Sequence, residues 1–183
     1  MAETAYGRQV RSTYQGVKEE LSAVRVWKKI GNRQGAYLAS QNLRNMTKGL
    51  DRNGKRMAGY TKGYAKIRQK MGLATSPTNL KVTGDLYNDI RVRNVTVDTS
   101  RRVGPVVAFE IGVSEKNAKK LKGLTTGKLG RARRPPRDPI GMANTGTPMH
   151  AAQAKRMREI AVEELRSLRG INITFGQTAA RGF

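Results

Sequence analysis

The chain has 183 residues, of which 36 are Lys or Arg and 13 are Asp or Glu, leaving a formal charge of +23. With 37% hydrophobic and 5% aromatic residues, it can build one modest core with extended loops but cannot bury both faces of a large sheet. Cysteine is absent, which excludes disulfides and thiolate metal sites, and a charge of this size attracts polyanions and repels copies of itself.

From about Val10 to Leu50 the pattern is helical: Val24, Gly31, Gly35, Leu38, Leu43 and Met46 recur at three- and four-residue steps. Glycine inside a helix costs about 1 kcal/mol against alanine, so either the helix breaks at Gly31 and Gly35 or another element packs very close. A break near Gly31 is expected, with Trp27 near the end of a first helix and a second from about Asn32 to Leu50. Asp51-Arg52-Asn53-Gly54 reads as a turn. Thr61 can N-cap a short helix, Lys62–Met71, on which Tyr64, Ile67 and Met71 share a face. Thr83 can N-cap another, with Asp85 in its first turn and Leu86 and Ile90 pointing inward.

Two strand-like runs follow, Ile90 to Val97 and Val103 to Val113, and Asp98–Arg102 between them makes an antiparallel hairpin the simplest reading. Glu115–Leu124 is a further helical piece, Lys-rich on its outer face, and the Gly/Pro/Arg-rich residues 125–142 are expected to be loop. Thr147-Pro148 starts a last helix whose apolar stripe is Met157, Ile160, Ala161, Leu165 and Leu168, with Gly170 as the stop. Ile171, Ile173 and Phe175 alternate as a candidate third or edge strand before a flexible tail. The fold class is α+β: a small antiparallel β-sheet packed by a long N-terminal helical segment and a C-terminal helix, with long basic loops. Residues 1–27 are expected as a helical extension, 28–170 as the α+β domain, and 171–183 as strand and tail.

Catalytic chemistry finds no foothold in these residues. His150, the single histidine, lies just inside the last helix with no partner nearby and reads as a surface or cap-adjacent residue. Glu159, Glu163 and Glu164 lie among Arg156, Arg158 and Arg166, where pairing along the helix explains them. Asp85 and Asp89 suit a cap and turn better than a shared cation, and GLTTGKLG (123–130) is not a phosphate loop. The expectation is a protein without enzymatic activity and without cofactor or metal.

Two basic stretches point instead to a partner. The first holds Lys55, Arg56, Lys62, Lys66, Arg68 and Lys70, interleaved with Tyr60 and Tyr64 and free of acidic residues. Rings among cations suit single-stranded nucleic acid, where bases stack and phosphates pair. The second holds Arg131, Arg133, Arg134 and Arg137 around two prolines, either a phosphate-binding arm or a solvated loop. An anionic membrane is the weakest partner, since no apolar run reaches spanning length. MAETAYGRQV lacks the apolar core of a signal peptide, so a protein made in the cytoplasm is expected.

Three segments in order carry a resemblance: NGKRMAGYTKGYAKIRQKMG (53–72), LKVTGDLYNDI (80–90) and RRPPRDPIGM (133–142). Together with the helical patterns on either side, over roughly residues 28–168, the chain resembles the tail-completion or neck proteins of tailed bacteriophages, the head–tail joining and virion morphogenesis group. The resemblance implies a non-catalytic structural protein that assembles as a homo-oligomeric ring between the portal or connector and the tail. It implies a place in the virion after assembly in the host cytoplasm, with no membrane partner. Thr83 and Gly84 would start the short helix into the sheet, anchored by Leu86 and Ile90. Tyr60 and Tyr64 would be packing anchors, and Pro136, Ile140 and Gly141 would turn the chain into the last helix. The basic residues of both stretches would face acidic neighbours or genomic DNA in transit. A non-specific nucleic-acid-binding protein, ribosomal or nucleoid-like, explains the charge equally well but not the order of the segments.

Overall fold

The structure, a computed structural model, describes residues 6–13, 24–100, 104–129, 132–133 and 136–167. The elements are β1 (Tyr6–Thr13), α1 (Val24–Thr47), α2 (Lys62–Lys70), α3 (Asp85–Asp89), β2 (Arg91–Asp98), β3 (Val106–Val113), α4 (Glu115–Thr126), β4 (Lys128–Leu129), β5 (Ala132–Arg133) and α5 (Pro148–Arg166). They form an α+β fold on a three-stranded antiparallel sheet in the order β1-β3-β2.

The hairpin of β2 and β3 is as the alternation predicts, with one irregularity: the register shifts between Val92 and Asn94. Arg93 is therefore the extra residue of a bulge, which explains why the alternation of this strand is imperfect in sequence. The central strand β3 turns Val107, Phe109, Ile111 and Val113 into the core, while Glu110 on the opposite face is only half-buried. Val106 and Ala108, on the same side as Glu110, are buried too, so the central strand is largely covered on both faces.

The N-terminal segment differs from its expected helix. Tyr6–Thr13 is an edge strand paired with β3 from Tyr6↔Val113 to Thr13↔Val106. The pairing partner lies far along the chain, so no local periodicity announces it. The candidate strand at Ile171, Ile173 and Phe175 lies outside the described residues, as do Leu168 and Gly170.

α1 is also corrected: it runs unbroken through both glycines. A Cβ at Gly31 would lie 2.6 Å from Val95 Cγ1 and 2.8 Å from Val107 Cγ1, and one at Gly35 would lie 2.5 Å from Val92 Cγ2. The missing side chains let the helix backbone settle directly on β2 and β3, the second of the two alternatives that the sequence leaves open. Trp27, Ile30, Leu38 and Met46 fill the rest of the contact and are all fully buried.

α5 begins as predicted, with the Thr147 hydroxyl accepting from the His150 N–H and Pro148 in the first turn. Met157, Ile160, Ala161 and Leu165 are buried. Its acids are only partly paired along the helix: Arg156 bonds Glu159 and Glu163, but Glu164 reaches across to Lys29 at 2.8 Å and Arg33 at 2.5 Å on α1. Hydrogen bonding to Lys29, and then to Arg33, holds the Glu164 carboxyl below its ordinary range against the opposing effect of burial.

Asp89, expected as a turn residue, joins three elements. Its carboxylate accepts from Arg93, from the backbone N–H and hydroxyl of Ser114, and from Asn117 Nδ2 at 2.9 Å. Burial acts to raise its pKa, but the hydrogen bonds from Ser114, Asn117 and Arg93 outweigh it and bring it down to about 2 from 3.8. A depressed folded-state pKa means a contribution that is complete above the unfolded value and lost as pH falls through the folded one. Stability should therefore decline between about pH 4 and pH 2, by roughly 2 kcal/mol at most from this group. In D89N that component should vanish from a urea-midpoint series against pH; an unchanged profile would mean that other carboxylates carry it.

Candidate functional site

The basic residues of the first stretch do not behave as one set. Asp51 turns the chain out of α1, its carboxylate accepting from the N–H groups of Asn53 and Lys55 at 2.9 Å. Arg52 fixes this turn to the third segment, through Asp138 at 2.9 Å and the Met142 carbonyl. Lys55 and Arg56 then stand exposed.

Thr61 caps α2 as predicted, its hydroxyl accepting from the Tyr64 N–H at 3.4 Å. Lys62, Lys66 and Lys70 are exposed, four residues apart along one side. The face shared by Ile67 and Met71 is turned outward as well, at 52% and 57% exposure. The residue turned inward is Arg68, only 1% exposed. Its guanidinium donates to the carbonyls of Ala74 (2.9 Å) and Lys81 (3.0 Å) and to Asn79 Oδ1 (3.3 Å), and lies 4.5 Å from the Tyr60 ring centre.

Arg137 approaches the same ring, 5.5 Å from its centre, and is 6% exposed. It donates to the carbonyls of Ala58 (3.0 Å) and Gly59 (2.7 Å), while its own N–H bonds the Leu124 carbonyl. Arg68 and Arg137 are thus corrected from partner contacts to internal supports: a buried guanidinium makes planar, directional bonds that lysine cannot copy. Nothing is described for Arg131 and Arg134; Arg133 contributes its backbone to β5, a short hairpin strand within the stretch expected to be loop.

The second segment meets the same ring. The Leu80 N–H donates to the Tyr60 hydroxyl at 3.1 Å, and Leu80 is itself buried with φ +57°, a conformation uncommon for a branched residue. Tyr64 packs edge-on against Tyr60 at 5.4 Å, and the Tyr87 hydroxyl donates to the Asn79 carbonyl. Tyr60 is therefore the node at which segments 53–72, 80–90 and 133–142 come together.

The remaining marked residues surround that node at greater depth. Leu86, Ile90 and Ile140 are buried in the main core, Gly141 is buried at φ +104°, and Pro136 is exposed. Thr83 is not the cap residue of α3. Gly84 takes that place at φ +90°, while the Thr83 hydroxyl accepts from the Asp85 N–H one position in. A left-handed cap position suits glycine, so the Thr-Gly pair divides the work between side chain and backbone.

Sequence reasoning misses the internal role of both arginines, because an Arg on a short basic helix, like one in a Pro/Arg-rich loop, reads as solvent-facing. A signal was present in Tyr60 and Arg68, an aromatic just before the helix and a cation in its last turn. Among the described residues, no three His, Asp or Glu side chains converge in a way that could hold a metal ion, and no helix is long and apolar enough to cross a membrane. Comparison of the chain with protein-family models, curated proteins and solved structures gives no match.

Proposed function

We propose that the chain is a structural virion protein of a tailed phage, forming or joining a ring at the head–tail junction through protein–protein contacts. The observation that carries the reading is the convergence on Tyr60. The three segments that resemble joining proteins in order also share one ring as their common support. In this reading the protein does mechanical rather than catalytic work. The helices and sheet hold a basic excursion rigidly, and its exposed Lys55, Arg56, Lys62, Lys66 and Lys70 face acidic neighbours or DNA in transit. A closed ring requires head-to-tail contacts, and acidic partners offset the +23 charge that opposes them.

Electron microscopy of the purified protein mixed with portal and tail components tests this directly. Ring-shaped density at the junction is expected; a protein that joins neither component sinks the reading. The non-specific nucleic-acid reading is favoured by the same exposed lysines. It separates from the first by salt dependence and incorporation. Binding to duplex DNA is expected to be weak and to fall about 500-fold as salt rises roughly four-fold, the behaviour of about five phosphate contacts. Tight binding at physiological salt, with no incorporation into particles, would favour the second reading.

A further inference from the structure

The outward face of α2 carries more than charge. Ile67 and Met71, one turn apart, are two of the three large hydrophobic residues exposed among those described, the other being Val24 at the start of α1. Lys62, Lys66 and Lys70 form a row beside them, and no acidic residue occurs between Arg52 and Gly84. The helix is not frayed outward: Arg68 fastens its inner side through carbonyls of the following loop and the Tyr60 ring. Among the described residues, no other helix or strand packs broadly against α2. An apolar pair on a fastened helix, bordered by like charges, is a surface shaped for contact.

We propose that this face of α2 docks an acidic protein surface, one that places aliphatic side chains between carboxylates spaced to meet Lys62, Lys66 and Lys70. The identity of that partner as a portal or tail component rests on the joining reading above, but the chemistry of the surface does not. A second copy of the chain is a poor occupant. Asp89, Asp138, Glu163 and Glu164 are engaged in internal ion pairs, and the exposed Asp85 and Glu115 are outweighed by a charge of +23 on the whole. Nucleic acid has no use for exposed Ile67 and Met71. The ring that would stack on a base, Tyr60, is already held against Arg68, Arg137 and Tyr64. A nine-residue helix with two outward apolar side chains is also small for holding to a membrane.

The test uses the full chain and fluorescence anisotropy with a labelled helical peptide bearing Glu at every fourth position beside two leucines. A second peptide has both leucines replaced by serine. The leucine peptide is expected to bind about ten-fold tighter than the serine peptide, and I67S/M71S should remove that preference. In K62Q/K66Q/K70Q both peptides should weaken together. Circular dichroism should be unchanged in both variants, since the altered side chains are exposed. Equal binding of the two peptides overturns the proposal. So does a duplex DNA whose affinity falls with I67S/M71S, or vesicles of phosphatidylserine and phosphatidylcholine whose binding falls with I67S/M71S while the peptide preference stays. Loss of ring assembly with the peptide preference intact would instead sink the joining reading and leave this surface standing.

Discussion

Arg68→Met should loosen residues 54–84 from the rest of the domain and cost about 3 kcal/mol. The substitution removes three donors at once: the Ala74 and Lys81 carbonyls lose theirs, and Asn79 Oδ1 keeps the Lys81 N–H. A hydrogen bond to a charged group contributes about 1.5–3 kcal/mol, and the loss of three outweighs the relief of no longer burying a charge. The cation stacked on Tyr60 is lost with it. Arg68→Lys should recover little, because an ammonium cannot address three acceptors in the plane of a guanidinium. Tyr60→Phe removes only the acceptor for the Leu80 N–H and should cost about 1 kcal/mol. Hydrogen exchange should show the loss first, as faster exchange across α2 and the Leu80 amide, with the urea midpoint following. Unchanged protection at Leu80 in Arg68→Met would show that the excursion is held by something else.

Adding two methyl groups should do comparable damage at the other end of the fold. G31A/G35A is expected to destabilise the protein by about 2–4 kcal/mol, although alanine is the better helix former by about 1 kcal/mol at each site. The new Cβ atoms would fall 2.6 Å and 2.5 Å from the Val95 and Val92 methyl groups, well inside contact distance. Valine is stiff at χ1, and its strand is held by the ladder to β3, so neither side can move away cheaply. The helix must lift, and the contact that Trp27 and Ile30 make beneath it is disturbed. Calorimetry should show a lower Tm. A higher one would mean that helix propensity decides and that the close approach contributes nothing.

These two sites also mark where the sequence stops being informative. Thr61, Thr147-Pro148 and the β2–β3 hairpin are legible because their signals are local: a cap and the residues it caps, or two runs and the turn between them. Gly31 and Gly35 are ambiguous because a helix break and a close approach require the same residue. The deciding valines lie some sixty to seventy-five positions away. β1 is invisible for the same reason, its pattern being weak and its partner strand distant. Arg68 is the opposite case. The pattern correctly groups Ile67 and Met71 on one face, but it contains nothing to say that this face is turned outward while an arginine fills the inner side. Burial of a guanidinium depends on carbonyls offered by loops, and loop carbonyls leave no mark in a sequence. Of the candidate site, the three ordered segments and Tyr60 as a packing anchor are legible; the two arginines that converge on its ring are not.

The clamp on Tyr60 also sets an order of events during synthesis. Arg137 bonds carbonyls 78 and 79 residues earlier in the chain, so the excursion leaves the ribosome long before its second arginine exists. Contacts of that separation form late, because the intervening chain must first be gathered. Throughout that interval the nascent protein carries a run of positive charge with one side of its central ring uncovered. A ribosome is itself a polyanion, and such a run is drawn to it by the same long-range field that serves the finished molecule. Arrival of the last third of the chain therefore completes the node, setting Arg137 beside the Tyr60 ring that Arg68 already holds.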